Sequence, residues 1–271
     1  MSGETSARLP VVFFGHGSPT NVLEDNVYTR DWAAIGSALP KPQAILCVSA
    51  HWFTRGTGVT AMAQPRTIHD FGPLDDRLFQ QQYSAPGSPD LARHVQSLLA
   101  PTTVALDQQW GFDHGCWSVL SKAFPGADIP IVQLSIDGTQ PPQWHYDLAQ
   151  KLRPLRDEGV LIVCSGNIVH NLRTMEWNET AVPYDWATAF ADFMVEGIKA
   201  GEHDAIIAYE SRGPHAGQAA PDRDHFYPIL YALGASTEDD AIAVRTNQFQ
   251  FKSINMASFV FGHLGDTHGS H

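Results

Sequence analysis

Gly159-Val160-Leu161-Ile162-Val163-Cys164-Ser165-Gly166-Asn167-Ile168-Val169-His170-Asn171 is the stretch from which the fold can be read. Its first half is an apolar run of strand length, the kind that is buried on both faces in a parallel sheet. Its second half sets a histidine just beyond the point where that strand stops. Two earlier runs repeat the arrangement. Val11-Val12-Phe13-Phe14 leads into Gly15-His16-Gly17-Ser18-Pro19, and Ala44-Ile45-Leu46-Cys47-Val48-Ser49-Ala50 leads into His51-Trp52. Open α/β sheets bind ligands beyond the carboxyl ends of their strands, so these histidines are carried to the edge where a site forms.

Working outward, strands and helices alternate. Asn26–Leu39 has helical spacing and stops at Pro40, Gln43–His51 reads as the second strand and Gly56–Ala63 as a third. Thr67–Gly72 reads as a surface loop, and Asp75–Tyr83 and Ser88–Ala100 as helices, the latter with a serine cap and Pro89 in first position. Thr103–Leu106 is a strand, Asp113 caps a helix running to Phe124, Ile129–Ile136 is a strand and Gln140–Arg156 a helix. Pro183–Ala200 is a long helix whose stripe Trp186, Ala189, Phe190, Phe193 and Ile198 belongs to the core. Asp222 is expected to cap a helix through Pro228 to Leu233 with His225 in its first turn, and Ala241–Arg245, Asn247–Lys252 and Met256–Phe261 alternate like antiparallel strands. The expected architecture is α/β, a three-layer α/β/α sandwich around a mixed sheet, in a single domain over residues 1–262 with a disordered tail at 263–271.

Composition narrows the function. In 271 residues, 29 acidic side chains face 17 Lys and Arg, a net charge of -12, which argues against a nucleic-acid partner. The start of the chain carries no signal sequence and no run reaches a membrane-spanning length, so no membrane partner is expected. Cys47, Cys116 and Cys164 are an odd number without the pattern of a disulfide framework, which fits a cytoplasmic location.

The 13 histidines need separate readings. His94, His145 and His203 sit among polar neighbours and read as solvent-facing, and His263, His268 and His271 fall in the tail. His16 and His51 directly follow buried strands, where a polar ring is either hydrogen-bonded in place or binding something. His225 alone reads as a helix-start residue, a position that favours neutral imidazole. His114 and His170 fit ligands, catalytic groups or packed residues equally, His215 reads as a loop residue and His69 as intermediate. Asn167 and Asn171 suit a turn or the orientation of a ring. Trp52, Trp117 and Tyr227 suit packing or the wall of an aromatic pocket.

Taken in order, Gly15-His16-Gly17-Ser18-Pro19, Ser49-Ala50-His51-Trp52, Asp113-His114-Gly115-Cys116-Trp117, Gly166-Asn167-Ile168-Val169-His170-Asn171 and Asp224-His225-Phe226-Tyr227-Pro228 resemble the class III extradiol ring-cleaving dioxygenases, and within them the DOPA 4,5-dioxygenase-like branch. Gln82-Tyr83-Ser84-Ala85-Pro86-Gly87-Ser88-Pro89 is similar as well, so the resemblance runs from about Val11 to Phe261. It implies that His16, His51 and His225 hold one divalent metal, with His170 as acid/base and His114 beside the ligands or against the substrate. The broader class has a glutamate as third ligand where this chain has His225, a replacement typical of the DOPA branch. Three imidazoles suit iron(II), expected for activity, and zinc(II) as well. The implied partners are a small DOPA-like catechol, opened to a semialdehyde, and O2. Arg173, Arg212 and Arg223 are candidates for a substrate carboxylate, and the chain is expected as a monomer or homodimer. A zinc-dependent hydrolase or lyase and a non-enzymatic binding relative are the competing readings.

Overall fold

The structure is a computed structural model that describes residues 8–178 and 182–265. Its strands are β1 (Val11–Gly15), β2 (Ala44–Thr54), β3 (Thr57–Thr60), β4 (Val104–Asp107), β5 (Ile131–Asp137), β6 (Val160–Gly166), β7 (Ile242–Arg245), β8 (Phe249–Gln250), β9 (Ile254–Asn255) and β10 (Ser258–Phe261). Eight of them form one sheet in the order β4-β3-β5-β2-β6-β1-β10-β7, and β8 and β9 pair separately. The centre is parallel, with β6 between β2 and β1, while β10 and β7 join antiparallel at one side. The helices are α1 (Val27–Ala38), α2 (Pro89–Leu98), α3 (His114–Ala123), α4 (Pro142–Gln150), α5 (Pro154–Asp157), α6 (Asp185–Lys199), α7 (His203–Ile207), α8 (Tyr209–Arg212), α9 (Ala216–Ala219) and α10 (Tyr227–Ala235).

Successive residues of a strand point to opposite faces, and β1 sorts accordingly: Val11 and Phe13 enter one core, Val12 and Phe14 the other. The first core is closed by α2, α4, α6 and α10, the second by α1 and α3. This is the three-layer mixed-sheet arrangement that the alternation of elements predicts. Two caps fall where expected, Ser88 accepting from Leu91 N–H on α2 and Asp113 from Cys116 N–H on α3, and Asn26 closes a capping box on α1.

Several expectations give way to tertiary structure. Asp75–Tyr83 forms only a short 3-10 turn, Asp76–Gln80, because one buried side chain, Leu78, gives a full helix too little apolar face. The helix expected over Gln140–Arg156 is divided, since Pro154 cannot donate the hydrogen bond a continuous helix needs. In the α6 stripe the fully buried positions are Ala187, Phe190, Ala191, Met194 and Ile198, while Trp186, Ala189 and Phe193 are half-buried. Asp222 caps no helix: α10 begins at Tyr227, with Pro228 in its first turn, and His225 stands before it. Asn247–Lys252 and Met256–Phe261 shrink to β8 and β10, the backbone turning through positive φ at Phe251 and Lys252. Of the tail, residues 263–265 have no regular structure, with Leu264 packed on the second core, and 266–271 lie outside the described residues.

Candidate metal centre

The adjacency of β2, β6 and β1 brings the first two histidines together. His16 immediately follows β1, whose last residue Gly15 pairs with Gly166 of β6. His51 does not follow its strand but sits within it, because β2 continues to Thr54 through a bulge between Val48 and Phe53. A bulge inserts residues out of register and turns a side chain away from its regular direction. His225 arrives from the far end of the sequence over the end of β6, where Asn167 N–H donates to its carbonyl at 2.9 Å. That approach needs Gly166, since a Cβ there would lie 2.3 Å from the His225 carbonyl oxygen. Gly115, in the first turn of α3, meets the same constraint beside the bulge: an added Cβ would stand 2.3 Å from Ser49 Oγ and 3.1 Å from the His51 ring.

His16, His51 and His225 each offer a ring nitrogen, and these atoms lie within 4.8 Å of one another. His16 Nδ1 is 3.0 Å from Ser165 Oγ, His51 Nδ1 is 3.3 Å from Asp70 Oδ2, and His225 Nδ1 is 3.1 Å from Asp224 Oδ1. A carboxylate oxygen aligned on Nδ1, as Asp70 and Asp224 are placed to be for His51 and His225, favours the tautomer in which Nε2 is the bare donor, the arrangement found behind metal-binding histidines, and the Ser165 hydroxyl can accept from His16 Nδ1 in the same way. The Nε2 atoms of His16 and His51 face each other at 3.2 Å, and in that tautomer neither has a hydrogen to give. A divalent cation satisfies both. Burial pushes the His16 and His51 imidazoliums far below the usual histidine range, and the neighbouring histidines push the same way, so both rings are neutral, the form a metal requires. Asp224 is drawn down to about 2, the cost of its burial outweighed by contact with His225. Residues, protonation and supporting oxygens therefore fit one divalent metal.

Two further imidazoles flank the trio. The His170 ring stacks on His225 at 3.5 Å with 4° between planes, and the His114 ring lies 3.8 Å from His51. His170 is fixed by its backbone, which bridges to Ile254 and donates to the Ala219 carbonyl at 2.8 Å. Its imidazolium is also held well below the ordinary range, first by burial and then by His225. His114 opens α3, where Asp113 caps the helix. The strand-end pattern at β1, β2 and β6 gathers all three of its histidines, but the third donor atom beside His16 and His51 comes from His225.

Asp70 is the residue that the sequence hides. The loop over residues 67–72 is half-buried, not a surface loop, and Asp70 Oδ1 accepts from the His114 backbone N–H at 2.8 Å. The visible signal was only an Asp beside His69, in a segment with no periodicity. His69 itself stands apart, its Nε2 2.9 Å from the Gln81 carbonyl oxygen. Asn167 and Asn171 tie loops together: Asn167 donates to Asn255 O and accepts from Gly17 N–H, and Asn171 donates to Gln218 O. The tryptophans pack, Trp52 stacked on Trp110 and Trp117 bonded through Nε1 to Ile68 O, while Tyr227 is buried against His145 and Phe53. His145 is buried, not solvent-facing, with Nδ1 2.9 Å from the Tyr231 hydroxyl; His203 and His94 are half-buried and bonded to Tyr146 and Glu158. His215 is exposed, as expected. A cavity of about 440 Å³ lies beside Asp224, lined also by Phe53, Asp222 and Arg223. A larger one of about 1410 Å³, bordered by Tyr146, Lys199 and Asp239, has none of the five site histidines in its wall.

The catalytic LigB subunit of aromatic ring-opening dioxygenase is the family that matches this chain, over residues 16–262. The 4,5-DOPA dioxygenase extradiol of Escherichia coli (strain K12) is 48% identical over 263 residues, which span 95% of this chain and 96% of its own. The enzyme of the same name from Beta vulgaris is 36% identical over 92% of this chain and 95% of its own. The crystal structure of an uncharacterized protein from Escherichia coli K12 superposes with a TM-score of 0.82 at 46% identity, covering 94% of this chain and all of that one. The chain belongs to the aromatic ring-opening dioxygenase family, and it is an extradiol ring-cleaving enzyme, as its five motifs lead one to expect.

Proposed function

We propose that His16, His51 and His225 hold one iron(II) and that the enzyme opens DOPA, or a closely related small catecholic acid, at the 4,5 bond to a semialdehyde. The reading is carried by three imidazoles that each bring a ring nitrogen within 4.8 Å of the others, while an oxygen stands behind each Nδ1. Iron in such a site supplies open coordination positions for the catechol oxygens and for dioxygen. The protein supplies the rest. His170, neutral and stacked beside His225, takes the proton that a catechol hydroxyl must lose and returns it as the ring opens. His114, against His51 on the other side, receives a hydrogen bond from the substrate and fixes its pose. The Phe71 ring stands edge-on 5.5 Å from the His114 ring and gives that side an apolar wall.

Arg223 borders the 440 Å³ cavity with Asp222, and its guanidinium, ion-paired to Glu210 at 2.9 Å, is the nearest of the three arginines in sequence to a proposed ligand. It is our choice for the substrate carboxylate. Zinc(II) also fits the donor set and is the metal to look for in protein purified without added iron. Family membership speaks against hydrolysis as the activity. Cys47, Cys116 and Cys164, all free and buried, support a reducing cytoplasm, and no described helix is long and apolar enough to cross a membrane. We expect a monomer or homodimer, to be read by light scattering. Anaerobic loading with iron(II), followed by O2 and DOPA, is expected to yield a yellow ring-opened product with one O2 consumed per catechol. Iron-loaded protein inert toward a broad catechol panel would overturn the assignment.

A further inference from the structure

Asp70 touches two rings of the site at once. Its Oδ1 is spent on the His114 backbone N–H, which pins the carboxylate over the start of α3. Its Oδ2 lies 3.3 Å from His51 Nδ1 and 3.1 Å from His114 Nδ1. These distances are within reach, yet the atoms are not aligned as hydrogen bonds, and Asp70 Oδ2 and His114 Nδ1 remain buried without a bonded partner. Buried polar atoms are seldom left so, and here each is the complement of the other. A carboxylate oxygen has lone pairs for two donors, and the imidazoles have one Nδ1 hydrogen each to offer.

We infer that Asp70 is a positioning residue, one oxygen of which receives the Nδ1 hydrogens of both His51 and His114 and thereby turns a bare Nε2 of each ring into the site. His51 then presents its lone pair to the metal, and His114 presents its own as an acceptor for a substrate hydroxyl. One carboxylate so couples metal binding to substrate orientation. The inference rests on His51 being a ligand. The same three side chains form a second group with donor atoms within 4.8 Å, so a second cation is the competing occupant. That occupant requires His51 to give up both ring nitrogens and its last ring hydrogen, whereas the shared carboxylate requires nothing beyond alignment.

Asp70→Asn preserves shape and discriminates the alternatives. Its amide oxygen is claimed by the His114 backbone N–H, so its NH2 faces the two rings and favours the tautomers with hydrogen on Nε2. Zinc(II) binding, followed by competition with a chromophoric chelator in the absence of substrate, should weaken roughly 10–100-fold, with one metal per chain in both proteins. With iron saturating, kcat should fall while the apoprotein melts at the wild-type temperature. In wild-type apoprotein, histidine 15N spectra should show His51 and His114 as Nδ1–H tautomers, a measurement that stands even if the variant does not fold. Wild-type affinity in Asp70→Asn, a hydrogen on Nε2 of either ring, or a second metal lost with Asp70 would each overturn the proposal. His51→Ala separates it from the reading beneath it. Loss of metal there, with Asp70→Asn unaffected, removes this proposal alone; retention of metal there removes the three-histidine site.

Discussion

His170 and His225 lie ring on ring at 3.5 Å, yet we assign them different work, and the difference is testable one side chain at a time. His170→Ala is expected to keep its full complement of metal by elemental analysis while turnover falls about 10²–10⁴-fold, the usual worth of a positioned acid or base. His225→Ala should lose the metal itself. His145 makes a separate prediction about stability. Burial holds its imidazolium down to about 4, against 6.5 for the free residue. Below 6.5 the unfolded chain takes up this proton before the folded chain does, so stability is full above that pH and declines as pH falls toward 4. The difference is on the order of 3 kcal/mol. Urea unfolding of apoprotein at pH 7 and pH 4.5 should show a smaller acid loss in His145→Gln than in wild type. Such residues mark the limit of single-sequence reading. His145 has polar neighbours, but its burial is decided by Tyr227 and Tyr231, far along the chain. His16 and His51 were legible because the apolar strands that deliver them are local, while Asp70 had no local pattern to reveal it.

At the level of elements, the strand β6 and the start of α10 meet through an absent side chain. Gly166→Ala would press a Cβ against the His225 carbonyl oxygen, and backbone cannot give way as a flexible side chain can. We expect a loss of about 1–3 kcal/mol in unfolding experiments, typical of overpacking, together with weaker metal binding in chelator competition. Catalysis lost with both unchanged would contradict the idea that this glycine sets the position of His225. Strands and two of the caps are legible in sequence because their determinants lie within a few residues: Ser88 and Asp113 each cap the helix predicted for them. Elements whose limits depend on packing are not. The β2 bulge that redirects His51 is set by pairing with β5, and the start of α10 is set by Pro228, not by the better-looking cap at Asp222.

Across the whole molecule, a buried ion pair joins segments far apart in the chain. Arg156 meets Asp240 through two contacts of 2.7 Å, with the arginine side chain 1% exposed, and also donates to Leu9 O and Ala235 O. Asp240→Ala leaves that guanidinium uncompensated, and a loss of about 3–5 kcal/mol is expected in urea unfolding. The single-domain sandwich was readable from the alternation of elements, whereas the strand order, with β10 and β7 returning beside β1, depends on contacts no local pattern encodes. That return has a thermodynamic consequence. The proposed donors come from just after β1, from β2 and from the approach to α10, which adjoin only when the chain is folded, so the unfolded chain offers the ion no comparable site. The ion then acts as a fastener between the two ends of the chain, and stability becomes a function of its free concentration. At a hundred times the dissociation constant the gain is about 2.7 kcal/mol. A calorimetric melting point that climbs with added zinc(II) in wild type, and stays level in His225→Ala, is the expected result.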